Sequence, residues 1–416
     1  MYKRILKIYP HGKTASLYLF FNIFSAIIPI ITLPIFTRLL TPNDYGILAI
    51  FNISVLLTSN LFRLELNAAL KRNYFAQNKD FSVYLSSAFW LSNILFLLLL
   101  IFLIPISFYF PEMKGISSFW YYMILLIAYT RFHTVILHHL FQINNRALVY
   151  GLWGLLGSLF LYGATYVFIV KLGLDWKARA WAEVLFASIS MPVAVFYLYK
   201  DYRLGIKFSF EKTREMLNFS TPILMGSMIS YALIISDRII IAKISAPEEL
   251  GFYSIAIQLA SIIGMIYGAV LPVWESWVYK KVDTLSGDDI LEIIKIFLIL
   301  SCMTFLLSLI AVPLLYLVLP FIVDESFDGV GKFVAPAIIA TNTIAIFGFT
   351  TPILSVINKA KLIAKLNLFM ILIAVPLIYF LVYNLGAVGA SIGLTVVYSV
   401  GIFFIVFFLL RYAKSI

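Results

Sequence analysis

The chain has 416 residues, 62% of them hydrophobic and 12% charged, against about 25% charged residues in a typical soluble domain. No soluble core absorbs that much apolar surface, and the aromatic content of 17%, with 25 Tyr and 7 Trp, suits the interfacial belts of a membrane-spanning bundle. Cys302 is the only cysteine, which excludes an intrachain disulfide and a cysteine metal site.

A helix needs roughly 20 mostly apolar residues to cross the hydrocarbon. Residues 1–14 (MYKRILKIYPHGKT) are basic and precede an apolar run from Ala15 to Phe36 with no small-residue cleavage site before the next charge, so the run is expected to be a retained first helix rather than a removed signal. The spans predicted in chain order are 15–36, 46–63, 84–108, 116–141, 147–170, 179–199, 216–242, 250–276, 293–319, 333–356, 366–384 and 389–410. The second is short and the sixth contains Glu183. The architecture expected is all-α and polytopic, with about twelve transmembrane helices.

An even number of spans puts both termini on one side, and the placement of lysine and arginine decides which. With the amino terminus inside, the outer loops hold only Arg38, Lys114, Lys171, Lys177, Arg179, Lys243 and Lys332, while Arg131, Arg238 and Lys295 fall within spans. The remaining cations lie on the inner side, a bias of about threefold that predicts cytoplasmic termini. The net charge of +11 is thereby read as topology with some attraction to membrane lipids, and no nucleic-acid partner is expected.

The chain also repeats itself. Arg38, Pro42, Asp44 and Gly46 match Lys243, Pro247, Glu249 and Gly251 at an offset of 205. Lys71-Arg72 matches Lys280-Lys281 at 209. Asn145-Arg146-Ala147 matches Asn358-Lys359-Ala360, and Leu172-Gly173 matches Leu385-Gly386, at 213. Two six-helix lobes follow, 1–200 and 216–416, joined by a basic linker at 201–215. Both start inside, so they are parallel repeats, a transporter design with the substrate cavity at the centre between the halves.

Polar residues within spans form stripes. The first helix carries Asn22, Ser25 and Thr32, and the seventh carries Ser227, Ser230 and Asp237 at the same offset of 205; spacings of 3 and 7 put each set roughly on one face. Helix-to-helix hydrogen bonding accounts for the serines and threonines, whereas a carboxylate at Asp237 asks for a functional or paired role. Arg131 lies near the middle of the fourth span with Thr134, His138 and Gln142 below it at spacings 3, 7 and 11. A central arginine costs roughly 2.5–3.5 kcal/mol on insertion scales. Either an anionic ligand in a wet cavity offsets that, or an acid on another helix does: Glu65, Glu183, Asp237 or Glu275. Arg238 and Asp237 are adjacent on one helix, point about 100° apart and are poor partners for each other. Glu65 and Glu275 sit near the inner mouth of their spans, placed to gate or to carry protons. Prolines, among them Pro29 in the first polar stripe, permit bends.

Other chemistry fails on the residues. Gly12-Lys13-Thr14 resembles the end of a phosphate loop, but the first glycine of that motif would fall on Lys7. His133, His138 and His139 share a helix without an HExxH pattern or a carboxylate pair, so no metal site and no catalytic residues are expected. The outer loops are too short for a glycan polymerase or ligase.

The segment TRLLTPNDYG (37–46), the run SDRIIIAKISAPEELGFYSIA (236–256), Gln142-Ile143-Asn144-Asn145-Arg146 and Leu385-Gly386-Ala387-Val388-Gly389-Ala390 together resemble the Wzx-type O-antigen and polysaccharide flippases, within the multidrug/oligosaccharidyl-lipid/polysaccharide exporter superfamily. The resemblance implies a bacterial inner-membrane protein that moves an undecaprenyl-pyrophosphate-linked oligosaccharide, a unit of O-antigen or capsule, between leaflets by alternating access. It implies no bound cofactor, coupling to H+ or Na+, and the glycan polymerase and chain-length machinery as partners downstream. Arg131 and Arg238 fit the cavity arginines that meet the pyrophosphate, with Asn22 and His138 beside them on polar stripes; Asp237, Glu275 and Glu65 fit coupling or gating. The competing expectation is a cation-coupled small-molecule or multidrug exporter of the same superfamily, which would want a cavity dominated by acids.

Overall fold

The computed structural model describes residues 12–76, 80–281, 286–357 and 359–414; the expectations placed on 1–11, Lys79 and Asn358 lie outside the described residues. Helices account for 89% of the structure, and twelve are long and apolar enough to cross a membrane. The elements are α1 Gly12–Ile31, α2 Leu33–Thr37, α3 Pro42–Arg63, α4 Leu66–Phe75, α5 Phe81–Tyr109, β1 Glu112–Met113, β2 Ile116–Ser117, α6 Ser118–Ile143, α7 Ala147–Leu172 and α8 Lys177–Tyr202. They continue as α9 Phe210–Ile244, α10 Pro247–Tyr279, α11 Gly287–Ile322, a 3-10 turn Glu325–Val330, α12 Gly331–Gly348, α13 Thr350–Val356, α14 Ala360–Leu385 and α15 Val388–Ala413.

Several boundaries differ from the hydropathy reading, each for a local reason. The first span is two helices: Pro29 removes a backbone donor, and Thr32, at the break, donates its hydroxyl back to the Ile28 carbonyl at 2.9 Å. The second span starts at Pro42, inside the segment expected as a loop. Thr41 and Asp44 cap it reciprocally, with the Asp44 carboxylate accepting from the Thr41 hydroxyl at 2.7 Å and the Asp44 N–H donating to that hydroxyl at 3.2 Å. Proline suits the first helical position because its missing N–H has no partner there. The tenth span is interrupted at Phe349, whose carbonyl accepts the Trp274 indole N–H at 2.9 Å. An antiparallel pair, β1 with β2, occupies the loop between α5 and α6.

Contacts group the chain into two compact units, Met1–Thr32 with Ile50–Met228, and Leu33–Ala49 with Ile229–Ile416. The chain therefore changes unit at the α1–α2 break, within α3, and within α9 six residues beyond Pro222.

The first unit is built on a cluster that includes Phe62, Leu66, Tyr84, Leu125, Phe132, Leu137 and Phe141. The link from α8 to α9 is tied to α5, with the Trp90 indole donating to the Ile206 carbonyl at 2.9 Å and the Gly205 N–H donating to Ser86 at 2.9 Å. The second unit centres on fully buried Tyr253, Phe297, Phe327, Phe333 and Phe349. Within it the first turns of α3 and α10 meet backbone to backbone. A methyl group on Gly46 would overlap the Pro247 carbonyl, and one on Gly251 would overlap the Pro42 carbonyl. The duplicated Pro-x-x-x-Gly segments thus cross each other, and glycine is required at both because a side chain has no room. Large apolar side chains such as Phe102, Leu317 and Phe403 face outward, as expected where lipid replaces water as the solvent. In lipid, close packing and interhelical hydrogen bonds hold helices together, since no apolar transfer is gained.

Candidate functional site

The first unit carries its polar residues on one face of α6. Arg131, Thr134, His138 and Gln142 are partly or fully accessible, while Phe132, His133, Leu137 and Phe141 on the other side are buried. At 1.5 Å per residue the stripe runs about 16 Å along the helix axis.

At its upper end Arg131 Nη2 lies 3.0 Å from Glu183 Oε2 of α8. The other carboxylate oxygen, Oε1, is 3.7 Å from Arg179 Nε, one turn earlier on α8. The Arg179 guanidinium stacks on the Tyr162 ring of α7 at 4.3 Å. Of the acids that the sequence offered as partners for Arg131, Glu183 is the one in place. The Glu183 side chain is 4% exposed and Arg179 16%, whereas Arg131 is 41% exposed. Two cations on one carboxylate leave the cluster with a formal charge of +1.

Farther down the stripe the structure joins Asn22 and His138 through a residue that the sequence reading did not single out. Tyr150 of α7 stacks flat on His138, with centroids 3.7 Å apart and an interplanar angle of 6°, and its hydroxyl lies near the Asn22 side chain of α1. His138 Nε2 is 3.1 Å from the Tyr150 carbonyl. Tyr18 packs edge-on against Tyr150 at 4.9 Å and donates to the Gln142 carbonyl at 3.3 Å. These contacts form an aromatic and amide platform from three helices. Glu65 is not part of it: with Leu64 it adopts left-handed φ values of 53° and 41° at the turn from α3 to α4, and it lies 3.8 Å from Arg63.

The second unit holds a different arrangement. Asp237 is buried, and its carboxylate accepts from the Tyr253 hydroxyl of α10 at 2.6 Å and from the backbone N–H of Arg238 at 2.7 Å. Ser391 of α15 is also buried, and its hydroxyl has no hydrogen-bond partner among the described residues. The adjacent pair Asp237 and Arg238 is thus linked through a main-chain donor and not through its side chains. The Arg238 guanidinium is half-buried and makes no ion pair among the described residues. Ser230, one face of the same stripe, accepts from the Asn367 amide of α14 at 2.9 Å. Glu275 is half-buried near the C-terminal end of α10. Among the described residues no three His, Cys, Asp or Glu groups converge as a metal site.

Arg131, Glu183, Asn22 and His138 therefore share one unit, while Asp237, Arg238 and Glu275 belong to the other. Glu183 carried a signal in the sequence, since a glutamate within a span demands a partner. Arg179 carried little, because a cation at the edge of a span reads as a loop charge. Tyr150, Tyr162 and Tyr253 were indistinguishable from interfacial tyrosines.

Twelve apolar helices with ionisable groups buried among them define a multi-pass membrane protein of the transporter type of fold. Solved structures agree on the fold. The chain is similar to an inward-facing multidrug resistance transporter of the MATE family and MOP superfamily, with 15% identity, a TM-score of 0.73 and 96% of each chain covered. It is similar to the lipid II flippase MurJ, with 14% identity, a TM-score of 0.71, and 94% of this chain and 87% of that one covered. It is also similar to a MOP superfamily transporter from Pyrococcus furiosus, with 16% identity, a TM-score of 0.58, and 96% and 94% covered. Among curated proteins none matches this sequence. The model of the family described as polysaccharide biosynthesis protein matches residues 12–274, and the chain belongs to that family. The resemblance carried by TRLLTPNDYG and the 236–256 run is borne out, and both segments lie inside the matched range.

Proposed function

We propose that this protein is a flippase that moves undecaprenyl-pyrophosphate-linked oligosaccharide repeat units, of O-antigen or capsule, across the bacterial inner membrane by alternating access, with both termini in the cytoplasm. The observation that carries this reading is the accessible Arg131 guanidinium, held mid-helix above a polar face in a member of a polysaccharide biosynthesis family. A pyrophosphate and its sugars cannot enter hydrocarbon unaided, because each unsatisfied polar group costs several kcal/mol there. A fixed guanidinium offers phosphate a bidentate, charge-assisted pair of hydrogen bonds. The platform of Tyr150, His138 and Asn22 offers ring faces and amide donors of the kind that sugars use. Arg238 serves as a second phosphate contact, and the prenyl tail stays in lipid.

Nothing in the site splits a nucleotide, so the two states are biased by substrate and by a coupling ion. Asp237 is the coupling group in this reading, taking up H+ or Na+, with Glu275 and Glu65 at the inner gates. The delivered unit passes to glycan polymerase and chain-length machinery. The alternative, a cation-coupled small-molecule or multidrug exporter, draws on Asp237 and on the multidrug neighbour; the net positive cluster at Arg131 argues against a cationic drug as cargo.

The test is deletion and complementation. Cells lacking the protein accumulate the lipid-linked unit on the inner leaflet and lose surface glycan. Normal glycan assembly in the deletion strain, with no second flippase present, removes the proposal.

A further inference from the structure

We infer that Glu183 is a displaceable counter-ion for Arg131, and that Arg179 is the positioning residue that holds Glu183 when Arg131 turns to substrate. This rests on the reading of Arg131 as the phosphate contact.

Positive charge is in excess around Glu183. One arginine is enough to neutralise one buried carboxylate, yet two converge on Glu183, each on its own oxygen, at 3.0 Å and 3.7 Å. The two are not equivalent. Arg179 is mostly buried, lies one turn from Glu183 on the same helix, stacks on Tyr162 at 4.3 Å and has its Nη1 enclosed without a hydrogen-bond partner. Its place is fixed by packing. Arg131 comes from another helix and is the exposed member. It engages Glu183 through Nη2, and its Nη1 and Nε have no acceptor among the described residues. An edge of the guanidinium is therefore free and faces accessible space.

The energetics explain why the second arginine matters. A carboxylate left alone at 4% exposure suffers a desolvation penalty of several kcal/mol. With a single partner, Glu183 would grip Arg131 and keep it from any ligand. With Arg179 in place, Arg131 can leave without orphaning the acid. Empty, the cluster offsets the cost of an arginine at mid-membrane; occupied, Arg131 faces phosphate and Arg179 alone neutralises Glu183. The same carboxylate then competes for Arg131 and promotes release of the phosphate. Glu183 thus trades affinity for turnover, a role that touches no substrate atom.

The test uses the full-length protein in lipid nanodiscs, with farnesyl pyrophosphate as the probe for binding and surface glycan in complemented cells as the measure of export. Glu183→Gln is expected to bind the probe about tenfold more tightly, the factor that accompanies 1.4 kcal/mol, while export falls. Arg179→Gln is expected to bind about tenfold more weakly, because Glu183 then clings to Arg131. The double variant Glu183→Gln/Arg179→Gln removes one charge of each sign, guards against misfolding from an unbalanced buried cation, and is expected to bind more tightly than wild type. In an Arg131→Gln background, Glu183→Gln is expected to leave the residual Kd unaltered. If both single variants weaken binding, or Glu183→Gln leaves Kd unchanged, the cluster is scaffolding and the inference falls. A shift in the Arg131→Gln background as large as in wild type means that Glu183 acts through the general field, which also overturns it. If Arg131→Gln itself leaves probe binding intact, it is the reading of Arg131 as phosphate contact that fails.

Discussion

The chain repeats its sequence landmarks, but its two units hold different ionisable groups in different settings. In the first, an accessible arginine is balanced against a buried acid and a second arginine, leaving a net cation. In the second, a buried carboxylate is held by a tyrosine hydroxyl and a main-chain N–H, with no cation on it among the described residues. The duplicated stripes share register, yet their chemistry has parted. Thr32 bonds to its own helix at the α1 break, while its counterpart Asp237 reaches across to α10. Matching positions in the sequence thus carry different groups. An open cation suits contact with a charged cargo, and a closed acid suits a small ion.

The largest expected effect tests the open side of that contrast. Arg131→Ala should abolish glycan export in complementation, with membrane protein level within about twofold of wild type by immunoblot, and Arg131→Lys should restore part of it because lysine keeps the charge and loses the planar fork. Full export by the alanine variant would place the cargo contact elsewhere and erase the functional difference between the units.

The next effect concerns the crossing of the two Pro-x-x-x-Gly segments. Gly251→Val drives side-chain atoms into the Pro42 carbonyl, and overpacking of this kind costs about 1–3 kcal/mol or more. A clear fall in Tm in detergent is expected. Gly163→Ala in α7 is the control: nothing lies within 4 Å of its added methyl, and alanine is favoured over glycine in a helix by about 0.5–1 kcal/mol. Equal Tm values for the two variants would mean that the α3–α10 crossing is not tight.

On the closed side, Tyr253→Phe removes a buried donor from Asp237. Hydrogen bonds to charged groups contribute about 1.5–3 kcal/mol, so a moderate fall in Tm should follow. Asp237→Asn in the Phe background should recover part of it, since a neutral amide needs the donor less. No recovery would show that the tyrosine acts by packing alone.

How far the sequence could be read follows from the range of the forces involved. The spans were legible because hydropathy sums over some twenty neighbouring residues and needs no tertiary contact. The α3 start was partly legible: Thr41, Pro42 and Asp44 form a capping pattern, but it lay inside a segment whose family signature read as a loop. The break at Phe349 was not legible, because Trp274, which takes its carbonyl, lies 75 residues away. The partner of Arg131 was reduced to four acids and no further, since choosing among them requires knowing which helix packs against α6. The tyrosines of both sites were hidden among 25, and only the packing tells Tyr150, Tyr162 and Tyr253 from those in the interfacial belts.

The smallest effect calibrates the largest. Arg146 and Asp201 form an ion pair in the first unit at 2.5 Å, shorter than the Arg131–Glu183 contact, and the hydrogen bond to Asp201 pushes the Arg146 guanidinium above its ordinary pKa. Distance alone would rank it the stronger pair. Burial reverses the order. Arg146 is 46% and Asp201 20% exposed, so either partner left alone is readily hydrated. Exposed pairs contribute about 0–1 kcal/mol, while removing one partner of a buried pair costs about 3–5 kcal/mol. Arg146→Ala should therefore leave Tm within experimental scatter, while Arg131→Ala, despite the help that Arg179 gives Glu183, should lower it measurably. Salt sharpens the distinction, because screening reaches the exposed pair and not the enclosed carboxylate. Raising ionic strength should erase whatever small difference Arg146→Ala shows and leave that of Arg131→Ala in place. If the two variants respond alike to salt, Glu183 is wetter than its enclosure implies, and the contrast between an open cation and a closed acid loses its footing in the first unit.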